Sequence, residues 1–290
     1  MSVPDQIAWE SPAAHRFRQW LADYDRVLIG AGAGLSASAG VDFADRAAFA
    51  RLYPTLLRRG FQADYQLIGY EEWEPAEKWG YLATHVNEIR FRPHAHRLYP
   101  ALLDLVREKD YFVMTSNVDA LFARCGFDQE RIFTPQGDYA AMQCLTPCQQ
   151  RTWPSRPIIE EILTTIDAKT QRVTDAALLP KCPFCGAEVF LNVRGGDWFV
   201  EAPYDQQRAR FRQWLYHATK NAMLIVEIGA GFNTPGVIRW PLEAIARANR
   251  KSRFVRINVA HIDMPTDISD RALSMRADAF DAVKAGHSSC

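Results

Sequence analysis

The stretch Arg26-Val27-Leu28-Ile29-Gly30-Ala31-Gly32-Ala33-Gly34 decides the fold. It begins as a short apolar run typical of a buried strand and continues as a glycine loop. The mostly small residues 35–40 that follow predict the first turns of a helix. A strand, a glycine loop and a helix in this order present backbone N–H groups and a helix N-terminus to a phosphate. A tight turn without a ligand is the alternative, because glycine-rich matches alone are weak.

Two common nucleotide-binding patterns do not fit this loop. A simple dehydrogenase has an acidic residue about 20 positions further on, which holds the adenosine ribose. Residues 51–59 contain no carboxylate. The Gly-Lys-Ser/Thr ending of a P-loop is also missing. The loop therefore argues against simple hydride transfer.

Further strands and helices alternate along the chain. Apolar runs predict strands at residues 111–116, 223–228 and 254–258, and helices are predicted from Pro12, at 96–109, at 206–219 and at 241–249. Ser11 is a good N-cap for the first helix, and proline at the first helical position costs no hydrogen bond. The alternation predicts an α/β fold with a Rossmann-like parallel sheet and helices on both faces.

Two stretches differ from this pattern. Residues 49–92 mix aromatic residues with Arg and Glu and lack strand alternation, which predicts a small helical insertion. Residues 141–200 hold four of the six cysteines and predict a small zinc-ribbon/helical module. The Rossmann-like domain is then discontinuous and consists of residues 1–48, 93–140 and 201–290.

The four cysteines form two close pairs, Cys144 with Cys148 and Cys182 with Cys185. Two such pairs can surround one ion with four thiolates, which completes a tetrahedral zinc site and leaves no position for water. The pattern therefore predicts a structural zinc ion. Four buried or free thiols are the alternative. Cys125 and Cys290 are unpaired and receive no role.

Composition excludes several classes of protein. The chain has 290 residues, and its 34 basic residues balance 34 acidic ones, which argues against nucleic-acid and membrane-surface partners. No apolar run approaches the roughly 20 residues that cross a bilayer. Six cysteines are too few for a disulfide scaffold, and residues 1–6 lack the features of a secretory signal. We therefore expect a folded cytoplasmic protein.

Four motifs resemble those of the sirtuins, in the same order. Gly32-Ala33-Gly34-Leu35-Ser36, continuing to Asp42-Phe43, is similar to the first signature, and Ser116-Asn117-Val118-Asp119 is similar to the second. Gly229-Ala230-Gly231 and Ile257-Asn258 resemble two later motifs. The resemblance runs from about residue 27 to 280. It implies that NAD binds between a Rossmann-like domain and a module with structural zinc.

The resemblance also implies roles for individual residues. Asn117 would contact the ribose, Asp119 would orient it together with the nicotinamide amide, and Phe43 would lie beside the departing nicotinamide and screen C1′ from water. A turn and helix cap is the alternative for Asn117 and Asp119. The other residues implied around the dinucleotide are Gly32, Ala33, Gly34, Ser36, Ser116, Gln136, Gly229, Gly231, Asn233, Thr234, Asn258 and Ala279.

Three departures from the sirtuin pattern concern the chemistry. Asp42-Phe43 lacks the neighbouring proline and arginine, residues 192–197 replace the usual Phe-Gly-Glu strand, and Gln136 stands where the family has its catalytic histidine. An amide cannot act as a base. The loss of a positioned base costs about a hundred- to ten-thousandfold. Deacylation uses that base, whereas simple ADP-ribosyl transfer does not.

These residues predict an NAD-dependent protein mono-ADP-ribosyltransferase with Asn117, Asp119 and Gln136 as catalytic residues. The glycine loop, Gln136 and the segment 229–235 with Arg239 behind it resemble the macrodomain-linked microbial class of sirtuins. That class implies a lipoylated carrier of the glycine-cleavage H type as protein acceptor, and a macrodomain hydrolase that acts on the product. The glycine pair Gly195-Gly196 fits either a widened acceptor cleft or a simple turn.

Three other functions remain open at this point. The first is a lysine deacylase in which another residue supplies the base. The second is an NAD hydrolase, in which water replaces the acceptor. The third is a non-catalytic sensor of NAD or ADP-ribose, since the loss of a catalytic histidine also marks inactive enzymes.

Overall fold

The structure is a computed structural model that describes residues 11–93 and 95–287. Residues 1–6, His94 and Cys290 lie outside the described residues. By contacts the chain divides into two compact units. Unit 1 comprises Met1–Gly40, His94–Gln136 and Tyr204–Cys290, and unit 2 comprises Val41–Pro93 and Gly137–Pro203.

Nine strands are formed by the described residues. In chain order they are β1 (Arg26–Ala31), β2 (Asp110–Thr115), β3 (Ile132–Phe133), β4 (Gly137–Cys144), β5 (Trp153–Pro154), β6 (Val189–Val193), β7 (Leu224–Ile228), β8 (Arg253–Asn258) and β9 (Ala272–Arg276).

Eleven α-helices are formed by the same residues. They are α1 (Pro12–Asp23), α2 (Ala33–Ser38), α3 (Arg46–Leu52), α4 (Pro54–Arg58), α5 (Pro75–Val86), α6 (Leu98–Val106), α7 (Leu121–Arg124), α8 (Arg156–Leu163), α9 (Asp205–Ala218), α10 (Arg239–Ala248) and α11 (Ala279–Gly286). Short 3-10 turns occur at Asp64–Leu67, Gln129–Arg131, Ala176–Leu178, Ala202–Tyr204 and Thr266–Arg271, and a π turn at Asn87–Phe91.

Unit 1 is built on a six-stranded parallel sheet in the order β3-β2-β1-β7-β8-β9. From the second residue onward every residue of β1, β2 and β8 is buried, and all of β7 is buried. Because successive side chains of a strand point to opposite faces, both faces of the sheet are covered. The predicted Rossmann-like parallel sheet is confirmed.

The first helix shows how local sequence signals set the element boundaries. The Ser11 side chain accepts a hydrogen bond from the backbone N–H of Ala14, and Pro12 occupies the first turn. Phe17, Trp20 and Leu21 are buried on one face. Tyr24 lies just beyond the end of the helix in an extended conformation.

Unit 2 contains a three-stranded antiparallel sheet in the order β5-β4-β6, with an irregular register between Asp138 and Met142. Helices α3, α4 and α5 lie largely within the aromatic-rich residues 49–92, although most of the aromatic side chains there lie outside these three helices. Those aromatic side chains form the unit's core with apolar residues of β4, β6 and α8, and its buried members include Phe49, Tyr53, Trp79, Tyr81, Met142, Ile159 and Leu191. The density of aromatic residues therefore reflects packing.

None of the helices in residues 11–93 and 95–287 combines the length and the apolar character that a bilayer crossing requires.

The backbone geometry at position 137, the first residue of β4, requires a glycine. Its φ is +104°, and a Cβ built on it would lie 2.1 Å from the carbonyl oxygen of Asn192. Gly60 has a similar φ of +99° but nothing within 4 Å of its Cβ position. Alanine substitutions at the two glycines therefore distinguish the cost of a positive φ, which both share, from the cost of steric overlap, which only Gly137 has.

We expect G60A to lower the free energy of unfolding by about 1–2 kcal/mol, the usual cost of a left-handed alanine. We expect G137A to lower it by at least about 2 kcal/mol more, because the added methyl group overlaps a backbone atom that cannot rotate away. Denaturant unfolding followed by tryptophan fluorescence measures both. Equal losses in the two variants would contradict the overlap.

Candidate active site and metal site

Two glycine loops of unit 1 lie against one another at the carboxyl ends of β1 and β7. A Cβ on Gly32 would approach the Gly229 carbonyl oxygen to 2.7 Å, and one on Gly34 would approach the Gly229 Cα to 2.8 Å. The N–H of Gly34 donates to the carbonyl of Gly229 at 3.0 Å. The glycines predicted to approach a pyrophosphate therefore already permit a close contact between two backbone segments of the protein.

A hydrogen-bonded cluster of Ser36, Asn117 and Asp119 lies beside these loops. Ser36 Oγ donates to Asp119 Oδ2 at 2.5 Å and accepts from Asn117 Nδ2 at 2.8 Å. Asn117 Nδ2 also donates to the carbonyl of Gly32 at 3.1 Å. The three side chains are buried, and the second hydrogen bond of Asn117 ties the cluster to the glycine loop.

Asp119 also has a local structural role. Its Oδ1 accepts the N–H of Leu121 at 2.8 Å at the start of α7. This contact closes a turn just before α7, whose N-cap position is Ala120. The same carboxylate binds Ser36 with its other oxygen, so the turn and the cluster share one side chain.

Tyr99, on α6, completes the cluster and was not among the predicted residues. Its hydroxyl lies 3.1 Å from Ser36 Oγ, and its ring is almost fully buried. Burial, followed by the charge of Asp119, holds the pKa of Tyr99 well above its ordinary value. The phenol therefore stays protonated and donates to Ser36, whose own hydrogen goes to Asp119.

The neighbouring edge of the site is formed by the ends of β7 and β8. Asn258 Nδ2 donates to the carbonyl of Ala230 at 3.0 Å, and its Oδ1 accepts the N–H groups of Ala260 and His261. Arg239 donates to the carbonyls of Ala230, His261 and Asp263. Both side chains thus hold the backbone that follows the strands.

A buried network of charged side chains joins β7, β8 and α10 at this edge. Arg256 on β8 makes a two-point contact with Glu227 on β7, at 2.6 and 2.8 Å, and reaches Glu243 on α10 at 2.7 Å. Arg239 lies 3.6 Å from Glu227 and 3.9 Å from Glu243. Paired in this way, four charges can be buried without an isolated one.

The remaining predicted residues of unit 1 occupy several positions. Ser116 directly follows β2, and its N–H donates to the Ala31 carbonyl. Gly231 is half-buried, and Asn233 and Thr234 are exposed in the loop after β7, while Ala33 is exposed at the start of α2. Ala279 begins α11, next to Asp278, which accepts a hydrogen bond from Ser38 of α2 at 2.6 Å. Gln136 is half-buried at the end of the segment that follows β3.

Phe43 lies in unit 2, in the loop before α3, and is half-buried. Its ring packs edge-on against His85, with 5.0 Å between ring centroids. In the same unit, a Cβ on Gly196 would approach the Trp198 indole nitrogen to 2.8 Å. The pair Gly195-Gly196 therefore makes room for the indole of Trp198, which accounts for both glycines without reference to an acceptor.

The four paired cysteines come together in unit 2. Their sulfur atoms all lie within 4.8 Å of one another, with Cys144 and Cys182 buried and Cys148 and Cys185 exposed. Four sulfur donors at this spacing fit a structural zinc site. Cys125 belongs to unit 1 and is not a member of this cluster.

The protonation of the four thiols agrees with a cation site. Burial raises the pKa of Cys182, but hydrogen bonds from the N–H groups of Phe184 and Cys185 outweigh it and lower the pKa to about 7. Burial and hydrogen bonds to the other three sulfurs raise the pKa of Cys148 to about 12. Four thiolates cannot form side by side unless a cation compensates their charge.

Comparisons with known proteins agree with this architecture. No family model matches the chain. A Fusarium oxysporum f. sp. cubense protein named as a probable bifunctional ADP-ribose hydrolase/ADP-ribosyltransferase is 37% identical over 265 residues, which are 89% of this chain and 44% of that protein. A Staphylococcus aureus protein named as a protein ADP-ribosyltransferase is 25% identical over 270 residues, covering 91% of this chain and 84% of that protein. The chain thus spans less than half the length of the Fusarium relative.

Several solved structures have folds similar to that of this chain. A Sir2 homolog in complex with NAD matches with a TM-score of 0.59 and 18% identity, over 93% of this chain and 90% of that one. A structure described as a basis for the mechanism and regulation of Sir2 enzymes matches with a TM-score of 0.55 and 17% identity, over 95% of both chains.

The parallel sheet, its strand order and these matches define a protein of the Sir2, or sirtuin, fold. The two sequence relatives are both named as ADP-ribosyltransferases, so the chain is similar in sequence to proteins of that class. The resemblance drawn from the four sequence motifs is confirmed.

Several residues of the site escaped sequence reasoning. Tyr99, Arg256, Glu227 and Glu243 of unit 1 act through partners that are distant in the chain. The sequence does contain a signal for the ion pair of Glu227 and Arg256. Glu227 and Arg256 each interrupt an apolar strand, and the two positions are register partners in adjacent strands. Opposite charges at matching positions of buried strands indicate a buried ion pair.

We expect C182S to reduce bound zinc from about one ion per chain to nearly none, because three sulfurs do not complete the tetrahedral site. The melting temperature should fall with it, since metal-binding free energy contributes to folding. C125S, which changes a cysteine outside the cluster, is the matched control and should keep its zinc. Elemental analysis and thermal denaturation measure both effects, and a C182S protein with full zinc would refute the assignment.

Proposed function

We propose that this protein binds NAD on unit 1, cleaves the nicotinamide–ribose bond and transfers ADP-ribose to a protein acceptor. The observation that carries the proposal is the buried cluster of Ser36, Asn117 and Asp119 bonded to the first glycine loop. Pre-positioned polar groups of this kind are what a reaction with charge development at a sugar carbon requires. The names of both sequence relatives support the same activity.

Asn117 is proposed to contact the ribose. Both hydrogens of its amide nitrogen are used within the protein, on Ser36 and on the carbonyl of Gly32. The orientation of the amide is therefore fixed, and its oxygen is the atom that can accept a hydrogen bond from a ribose hydroxyl. Fixed donors and acceptors need no rearrangement during the reaction.

Asp119 is proposed to supply negative charge near the ribose. When bound, NAD provides a leaving group that departs as neutral nicotinamide while positive charge builds on the sugar. A buried carboxylate held by Ser36 and by the N–H of Leu121 favours that charge electrostatically. Gln136 is proposed to hold ribose hydroxyls by hydrogen bonds, because an amide cannot remove a proton. This property favours transfer over deacylation.

The identity of the acceptor and of the partner proteins is a further part of the proposal. We propose a lipoylated carrier protein of the glycine-cleavage H type as acceptor, on the resemblance to the macrodomain-linked class of sirtuins. We also propose that a macrodomain hydrolase removes the product. The Fusarium relative supports this pairing, because its name combines a hydrolase with a transferase and the matched segment covers only 44% of its length. Four clustered thiols support a reducing compartment such as the cytoplasm.

The destination of the adenosine half of NAD tests the function. The protein is incubated with NAD labelled in the adenosine half, together with a lipoylated carrier protein, an acylated peptide or no acceptor. We expect the label on the carrier and no turnover of the peptide. Free ADP-ribose in every reaction would indicate a hydrolase, and 2′-O-acyl-ADP-ribose a deacylase. Thermal stabilisation by NAD without nicotinamide release would indicate a sensor.

We expect N117A to lower the rate of nicotinamide release by about a hundred- to a thousandfold, the typical cost of removing one pre-positioned polar contact. N249A is the matched control. Asn249 is also a buried asparagine of unit 1, but it bonds to the Asn221 carbonyl and the Lys251 N–H at the end of α10. Rates of nicotinamide release are compared per folded molecule. A similar loss of rate in both variants would show that Asn117 is not part of the active site.

A further inference from the structure

The hydroxyl of Ser36 has all of its hydrogen-bonding capacity used within unit 1. It donates its one hydrogen to Asp119 Oδ2 at 2.5 Å, and its oxygen accepts from Asn117 Nδ2 at 2.8 Å. The Tyr99 hydroxyl, 3.1 Å away, is the second donor to that oxygen. A hydroxyl offers one hydrogen and two lone pairs. Ser36 therefore has no hydrogen-bonding position left for a ligand, and its role is to hold the side chains around it.

The direction of the bond between Tyr99 and Ser36 follows from the burial of the phenol. Tyr99 is 1% exposed, and burial, followed by the charge of Asp119, holds its pKa well above the ordinary value, so the phenol keeps its hydrogen. Ser36 gives its own hydrogen to a carboxylate, which only accepts hydrogen bonds. The chain of hydrogen bonds therefore runs from Tyr99 through Ser36 to Asp119.

The same cluster fixes the amide of Asn117. One amide hydrogen goes to Ser36 and the other to the carbonyl of Gly32 at 3.1 Å. A flipped amide would place its oxygen against that carbonyl oxygen, so the nitrogen and the oxygen cannot exchange places. In the described part of the chain no donor reaches Asn117 Oδ1, and the atom is not fully enclosed. This oxygen is therefore open to a ligand that offers a hydrogen.

The hydroxyl of Tyr99 has a fixed position because its ring is packed. Tyr99 lies on α6, and its ring meets Phe122 of α7 edge-on, with 4.9 Å between the ring centroids. Helix α7 begins at Leu121, whose N–H is bound by Asp119 Oδ1. The ring that supplies the hydroxyl and the carboxylate at the other end of the hydrogen-bond chain are therefore both held by α7.

We propose that Tyr99 is a positioning residue, whose hydroxyl holds Ser36 in the place from which Ser36 directs Asn117 Oδ1 towards a substrate hydroxyl. The inference rests on the proposed function. Tyr99 acts through Ser36 and is not a catalytic residue. All four side chains belong to unit 1. The site thereby presents a fixed acceptor to its substrate, which matches the hydroxyl groups of a sugar.

The first test compares Y99F with Y111F. Y99F removes the hydroxyl and keeps the ring. Tyr111 is also a buried tyrosine of unit 1, but its hydroxyl accepts the N–H of Asp128, outside the cluster. We expect Y99F to lower the rate constant of nicotinamide release about tenfold, the effect of losing one hydrogen bond in a buried network. Y111F should stay within about twofold of the native rate constant.

A double-mutant cycle then tests the route through Ser36. Y99F is introduced into S36A, in which the phenol has no serine hydroxyl to hold. We expect Y99F to lower the rate constant by less than about twofold in this background, because two residues that act through one contact are not additive. A tyrosine that supports only the fold would cause the same loss in both backgrounds. Rate constants are compared per folded molecule.

A further measurement needs no reaction. The protein is labelled with ¹⁵N-asparagine, and the side-chain amide signal of Asn117 is identified by its absence in N117A. Both amide hydrogens are bonded, so they exchange slowly with solvent. We expect Y99F to accelerate this exchange about tenfold and Y111F to leave it within about twofold. The amide of Asn249, bonded to the carbonyl of Asn221, is the internal control.

Each way in which the inference can fail has its own result. No nicotinamide release by the native protein would refute the proposed function, while amide exchange still reports whether Tyr99 holds Asn117. Equal behaviour of Y99F and Y111F, in nicotinamide release or in amide exchange, would overturn the inference. An equal loss from Y99F in the native and S36A backgrounds would also overturn it and would assign Tyr99 to the fold alone.

Discussion

Gly32 and Gly34 lie so close to Gly229 that no side chain fits between the two loops. This contact sets the positions of the other groups at the carboxyl ends of the central strands. Asn117 bonds to the carbonyl of Gly32, and Asn258 bonds to the carbonyl of Ala230, next to Gly229. A side chain at any of the three glycines would separate the loops and displace the backbone atoms that hold both asparagines. The candidate site therefore depends on a backbone contact more than on any single side chain.

Around this contact, buried polar groups are used to hold the backbone in place. The network of Glu227, Glu243, Arg239 and Arg256 joins two strands and a helix, and both arginines extend from it to loop carbonyls. Desolvating these charges is costly, and their pairing offsets the cost when the geometry is complete. Unit 2 also contains a buried polar pair, because Asp64 lies within hydrogen-bond distance of His85, whose ring packs against an aromatic side chain. In both units, buried polar side chains fix the geometry.

Sequence reasoning succeeded where the signal was local or periodic. The central strands β1, β2, β7 and β8 are mostly apolar because both faces are buried, and α1 begins where its cap predicts. The edge strand β3 has only two residues, and β4 lies in a stretch with an irregular register, so neither gave a periodic signal. The cysteine pairs predicted their own cluster, because two ligands per turn need only one long-range contact.

The amino-acid sequence by itself determined the class of fold, the four sulfur donors and the identity of Ser36, Asn117, Asp119 and Gln136, since short motifs and residue chemistry are local properties. Only the tertiary structure decided that Tyr99 bonds to Ser36 across 63 positions, that Arg256 pairs with Glu227 across 29, and that His85 lies under Phe43. It also added a second reason for the glycines, which make room for the backbone segment that follows another strand. Such contacts depend on how distant segments pack, and no local pattern records them.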